Sequence, residues 1–165
     1  MISVTPDTFR LAEAFTISRG SRTEAKVLTV RVMREGVTGC GECVPYARYD
    51  ETLESVTAEI KGLPGDISRQ ALQDALPPGA ARNAVDCALW DWEAKRSGSP
   101  VWVLAGLPVP APVVTAYTLS LDTPERMQAA AARHAHRPLL KIKLGTRDDM
   151  PRLEAVRGGA PEARI

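Results

Sequence analysis

The stretch Leu139–Asp149, LLKIKLGTRDD, sets two lysines two residues apart inside an apolar run. In an extended strand residues i and i+2 share a face, so Leu140, Ile142 and Leu144 point one way and Lys141 and Lys143 the other. One reading is a half-exposed strand with an oily face and a wet face. The other is a pair of amines held side by side for chemistry. The flanking sequence bears on the choice.

Immediately upstream, PVVTAYTLSL (112–121) reads as a strand and TPERMQAAAARHAH (123–136) as a helix capped by Asp122 or Thr123. Downstream, TRDDMPRLEAVRGG (146–159) reads as a second helix with Thr146 as its cap, and PEARI (161–165) opens a third strand. This strict β-α-β-α rhythm is what a parallel sheet or a (β/α) barrel demands. A complete barrel takes about 200 residues or more. Residues 111–165 are therefore expected to be the opening of a longer polypeptide.

Further toward the N-terminus the rhythm changes. Residues 2–44 are rich in β-branched side chains, and AKVLTVRVMREGVTGCGEC (25–43) reads as two strands joined at the Glu35-Gly36 turn, part of a small antiparallel sheet. TLESVTAEIKGL and ISRQALQDAL read as short helices. The strongest helical pattern is GAARNAVDCALWDWEAKRSG (79–98), in which Ala81, Ala84, Val85, Ala88, Leu89 and Trp92 recur at spacings of 3 and 4 and Gly98 and Pro100 mark the end. PVWVLAG gives one more helical turn before a Pro-rich connector, which puts a domain boundary near residue 110.

Bulk properties exclude several classes. A chain of 165 residues makes one domain or two small ones, and 21 Lys plus Arg against 20 Asp plus Glu, with no basic block, asks for no nucleic acid. No apolar run approaches the roughly 20 residues of a membrane helix. The opening MISVTPDTFRLAEAF lacks the layout of a secretion signal, so the expected compartment is cytoplasmic, with three reduced cysteines rather than a disulfide framework.

Taken with FTISRGSRTEAKV (15–27), VTGCGECVPYARYDE (37–51), LPPGAARNAVDCALWDWEAKR (76–96) and TAYTLSLDTPERM (115–127), the K-x-K strand resembles the enolase superfamily. The likeness falls in its muconate-lactonizing-enzyme-like subgroup, nearest the L-Ala-D/L-Glu dipeptide epimerases. The resemblance implies an α+β capping domain of antiparallel sheet plus helices over residues 1–110. Residues 111–165 would then be the first two β/α units, and the start of the third strand, of an incomplete (β/α)7β TIM-like barrel. It implies 1,1-proton transfer: a base removes the proton α to a carboxylate, Mg2+ supplies the charge that stabilises the developing oxyanion, and a conjugate acid reprotonates the other face. Lys143 matches the second lysine of the family motif and would be one base. Lys141, a like charge on the same strand face, disfavours its protonation. The metal-binding carboxylates and the opposing lysine would lie beyond Ile165, so no metal ligand is expected within this chain.

Two capping-domain loops select substrate in this family, and here they correspond to about residues 18–24 and 45–50. Arg19, Arg22 and Arg48 are cations suited to a forked grip on the side-chain carboxylate of a dipeptide ending in Glu. Tyr46 and Tyr49 would form the lid wall, and Thr118 matches a position that touches substrate in relatives. Each of these also has a plainer reading, as solvated loop charge or packing. Within the superfamily an N-acylamino acid racemase or an o-succinylbenzoate synthase is the competing activity; a non-catalytic capping module is the competing class. The expected partner is a small-molecule dipeptide, with homo-oligomer formation common in such barrels. The C-x-x-C of Cys40 and Cys43 closes a strand instead of opening a helix, which argues against a redox pair, and His134 and His136, two apart on the expected helix, would face away from each other, which argues against zinc.

Overall fold

The structure, a computed structural model, describes residues 1–145 and 147–165. It forms two compact units, Met1–Phe9 with Lys26–Pro110 and Arg10–Ala25 with Ala111–Ile165. No helix among the described residues is long and apolar enough to cross a membrane.

The first unit is built on a three-stranded sheet in the order β1-β2-β3, from β1 (Ile2–Ile17), β2 (Gly20–Arg34) and β3 (Val37–Cys43). The Glu35-Gly36 turn, with both residues at positive φ, joins β2 to β3 in antiparallel register from Arg34↔Val37 to Leu28↔Cys43. Alternation along β2 buries Leu28, Val30 and Val32. Against this face lie α1 (Leu53–Lys61), α2 (Arg69–Ala75) and above all α3 (Ala80–Ser97), whose buried residues are the six of the 3-and-4 stripe. A single turn, α4 (Val101–Leu104), follows Pro100.

Caps explain where the helices start. Thr52 and Ser55 form a reciprocal capping box on α1, and the Ser68 hydroxyl accepts from the Ala71 N–H on α2. The N-cap of α3 is Gly79, which has no side chain, and the cap is supplied from a distance: Glu51 Oε1 accepts from the Ala80 N–H at 2.7 Å.

The closeness of β3 to α3 depends on Gly39 and Gly41. A Cβ on Gly39 would collide with the Ala88 carbonyl oxygen and lie 2.6 Å from the Trp92 Cβ; one on Gly41 would collide with the Ala84 carbonyl oxygen and lie 2.8 Å from the Ala88 nitrogen. The small residues of α3 and the glycines of β3 therefore form one fitted surface, locked at its edge by the Cys40 N–H donating to Asp91 Oδ2 at 2.7 Å.

In the second unit β4 (Tyr117–Leu119) and β5 (Leu140–Ile142) pair in parallel. Helices α5 (Pro124–Arg133) and α6 (Met150–Gly159) close over one face, with Leu119, Met127, Ala131, Leu140 and Val156 in the core. The Leu140 N–H donates to the Arg164 carbonyl at 2.8 Å and the Arg164 N–H to the Pro138 carbonyl at 3.0 Å, so the chain re-enters the sheet beside β5, in a parallel bridge. The tip of the β1–β2 hairpin belongs to this unit: the Thr16 N–H donates to Ser120 Oγ at 2.8 Å and the Leu121 N–H to the Thr16 carbonyl at 3.0 Å.

Five local expectations are corrected. The first strand of this unit spans three residues, not 112–121, because residues 111–116 have no ladder partner and Val113 and Val114 stand 81% and 61% exposed. Helix α5 ends at Arg133, since Pro138 disfavours helical backbone in the residue before it. His134 is its C-cap, and the His134 and His136 rings lie 6.2 Å apart instead of facing away from each other. Helix α6 begins at Met150 with Asp149 as N-cap, because Pro151 is tolerated only in the first turn; the expected cap, Thr146, lies outside the described residues. The expected 18–24 loop is a two-residue turn, Ser18-Arg19, with Gly20 to Glu24 already on β2.

Replacing Gly41 by Ala is expected to lower stability by about 1–3 kcal/mol through overpacking against α3. Cys40→Ser, an exposed site on the same strand, should stay within ~0.5 kcal/mol. Thermal unfolding of the two variants side by side checks the difference.

Candidate active site

The β4–β5 ladder fixes which side chains share a face. Thr118 is in register with Lys141, and Tyr117 and Leu119 with Leu140 and Ile142. Leu119 and Leu140 are buried under α5 and α6. Alternation therefore sends Thr118 and Lys141 to the face away from those helices. Lys141 is exposed, and Lys143, one residue beyond the ladder, is half-buried. Both belong to the C-terminal end of β5, the end at which parallel β/α sheets gather reactive groups.

The backbone there is tied down. Asp149 Oδ2 accepts from the Gly145 N–H at 2.8 Å, and Asp149 Oδ1 lies 3.4 Å from Arg152 Nη1. Arg152 also donates from Nε to the Asp122 carbonyl at 2.9 Å and from Nη1 to the Asp148 carbonyl at 3.1 Å. One guanidinium thus links the segment after β4 to the segment after β5.

Beside β4 the same unit holds a cavity of about 930 Å³, lined among others by Phe15, Arg22, Thr118, Leu119, Met127 and His134. It brings Arg22 and Thr118 together; Lys141 and Lys143 are not among its lining residues. Arg19 is exposed in the hairpin turn. At the cavity edge the His134 ring stacks on Tyr117 with centroids 4.0 Å apart, and its pKa is lowered by burial and by the charges of Arg137, Arg133 and His136.

Tyr46 and Arg48 lie in the first unit, in and before a single 3-10 turn, Ala47–Tyr49. Arg48 is exposed and Tyr46 half-buried, with the Tyr46 and Tyr49 rings 5.9 Å apart. This segment is anchored by Glu51, whose Oε2 accepts from the Tyr46 N–H at 3.0 Å while its Oε1 caps α3. Glu51, Asp149, Arg152 and Gly145 escaped the sequence reading. The cue for the acidic pair was slight: an acidic residue just before a helix start. Glu51 instead acts across 29 residues, which no local pattern encodes.

Cys43 and Cys87 are held away from the thiolate form. All three are free; Cys40 is exposed and Cys43 buried. Burial, and then the charges of Glu51 and Glu42, push the Cys43 thiol up to about 11, the reverse of what a redox nucleophile requires. Burial and the neighbouring Asp86 raise Cys87 as well. Among the described residues no three His, Cys, Asp or Glu side chains gather to hold a metal ion.

Residues 1–106 match the profile of the mandelate racemase / muconate lactonizing enzyme, N-terminal domain, and the chain belongs to that family. It is 41% identical over 170 aligned positions to the L-Ala-D/L-Glu epimerase of Escherichia coli (strain K12), covering 99% of this chain and 53% of that protein. It is 42% identical over 134 positions to an N-acetyl-D-glutamate racemase of Pseudoalteromonas sp, covering 77% of this chain and 42% of that one. A crystal structure of an enolase family member from Agrobacterium tumefaciens with homology to dipeptide epimerases, holding sodium and L-Ala-L-Glu with an ordered loop, superposes with a TM-score of 0.93 at 53% identity, over 99% of this chain and 52% of that one. The chain spans about half the length of the relatives it matches.

Iodoacetamide at pH 8 is expected to label Cys40 in the folded protein and to reach Cys43 only after urea unfolding. Peptide mass spectrometry of the two labelled states reads this directly.

Proposed function

We propose that this chain supplies the first half of a dipeptide epimerase of the L-Ala-D/L-Glu type, which inverts the carbon α to a carboxylate by 1,1-proton transfer. The single observation that carries the reading is the register of Thr118 with Lys141 on the sheet face away from α5 and α6, with Lys143 following at the strand's end. That geometry gives an amine a fixed approach to a substrate bound at the C-terminal edge of the sheet. Lys143 takes the α-proton from one face, with Lys141 on the same face of the strand. Thr118 borders the substrate.

Arg19, Arg22 and Arg48 are the cations proposed to receive the side-chain carboxylate of a terminal Glu, in a forked hydrogen-bonded pair at whichever of them closes on it, and Tyr46 to wall the site. The metal of this reaction class, Mg2+, has no ligand set among the described residues and would be held by acidic residues outside this chain. The 41% identity to the Escherichia coli epimerase supports the dipeptide reading, and the compartment proposed with it is the cytoplasm. The Pseudoalteromonas relative favours a second one, racemisation of an N-acylated glutamate, which asks for the same lysines and the same grip on an acidic side chain.

The test is a substrate panel on the complete enzyme in D2O, with deuterium entry at the glutamyl Cα followed by NMR. L-Ala-D-Glu and L-Ala-L-Glu are expected to interconvert with exchange, and Lys143→Ala to lower the rate by ~10²–10⁴-fold. Preference for N-acetylglutamate would transfer the assignment to the second reading, and a Lys143→Ala enzyme of undiminished rate would remove the lysine from both.

A further inference from the structure

Gly145 lies two residues past Lys143, and its conformation does not require glycine. Among the described glycines, positive φ is found at Gly20, Gly36, Gly98 and Gly106, and a Cβ at any of those four would meet nothing within 4 Å. Gly145 shows the opposite pattern: a Cβ there would collide with the Ser18 Cβ, with Ser18 Cα and Oγ each 3.2 Å away. Gly39, Gly41 and Gly159 are equally crowded, but by helix backbone within packed layers. Gly145 and Ser18 are both exposed, so their contact buries little and adds little to stability. Its effect is on placement.

We infer that Gly145 is a positioning residue: the bare backbone at 145 is the seat for the hairpin turn at Ser18, and it sets how close Arg19 and Arg22 come to the end of β5 that carries Lys141 and Lys143. The two sides of the contact are unequally held. Gly145 is held by its N–H to Asp149 bond at 2.8 Å, and Arg152, which pairs with Asp149, donates to the Asp122 and Asp148 carbonyls at 2.9 and 3.1 Å. The arm is fixed further back, at Thr16, by its bonds with Ser120 and Leu121 at 2.8 and 3.0 Å. A side chain at 145 therefore displaces the tip, and with it the two arginines. This rests on the epimerase reading insofar as those arginines are taken to face the substrate; the contact itself does not.

The contact can be tested by a cycle of Gly145→Ala, Ser18→Gly and the double variant in the complete enzyme, with circular dichroism to establish that each is folded. Two readouts are followed: tryptic cleavage after Arg19 and Arg22 in the native state, and KM and kcat for an acidic dipeptide. Gly145→Ala is expected to speed cleavage at the tip and to raise KM roughly tenfold with kcat changed less than about threefold, since it moves a binding group and leaves the base in place. Ser18→Gly removes the colliding atoms, so the double variant should return toward wild type in both readouts. An unchanged Gly145→Ala effect in the Ser18→Gly background, in cleavage, would overturn the inference, because independent sites simply add. Coupled cleavage with an unmoved KM would equally overturn the positioning role. A wild-type enzyme with no epimerase activity would instead sink the functional reading, while cleavage still decides the contact.

Discussion

The parallel register of β4 and β5 is the constraint from which the candidate site follows. Once Leu119 and Leu140 are buried beneath α5 and α6, the two-residue period of the strand leaves Thr118 and Lys141 no choice of face. A one-residue slip would bury an ammonium group among Met127, Ala131 and Val156 and expose a leucine, a change the core cannot absorb. The hydrophobic requirement of the helices is thus also what orients the polar chemistry. Packing and function share one set of backbone hydrogen bonds.

The first unit obeys a different rule, in which distance matters more than direction. Gly39 and Gly41 let β3 lie against the alanine-rich side of α3; Cys43, on the same face of the strand, joins the core, and Cys40 between the glycines is exposed. The C-x-x-C spacing thus spans two faces of β3, with Cys40 outward and Cys43 inward beside the glycines. Glu51 then links this frame to the segment bearing Tyr46 and Arg48, so the start of α3 and the candidate substrate loop depend on the same carboxylate.

Much of this was legible in the sequence wherever one residue period dominated. The α3 stripe was readable because small and apolar residues recur at 3 and 4 with no competing pattern, and the faces of β5 because lysine alternates with aliphatic residues. Element ends were less legible. Residues 112–116 have strand composition but no neighbour to pair with, and strand formation is a property of pairs. The start of α6 was governed by Pro151, not by the better cap, Thr146, four residues before Met150. The roles of Glu51, Gly145 and Arg152 depend on groups far away in the chain, and local sequence carries no signature of such meetings. A glycine inside a strand does hint at close approach, and Gly39 and Gly41 could have been found that way.

Arg152 grips the segments after β4 and β5 through the main-chain carbonyls of Asp122 and Asp148. Carbonyls are present whatever residue occupies the position. The brace therefore asks nothing of the side chains at 122 and 148 and survives their replacement.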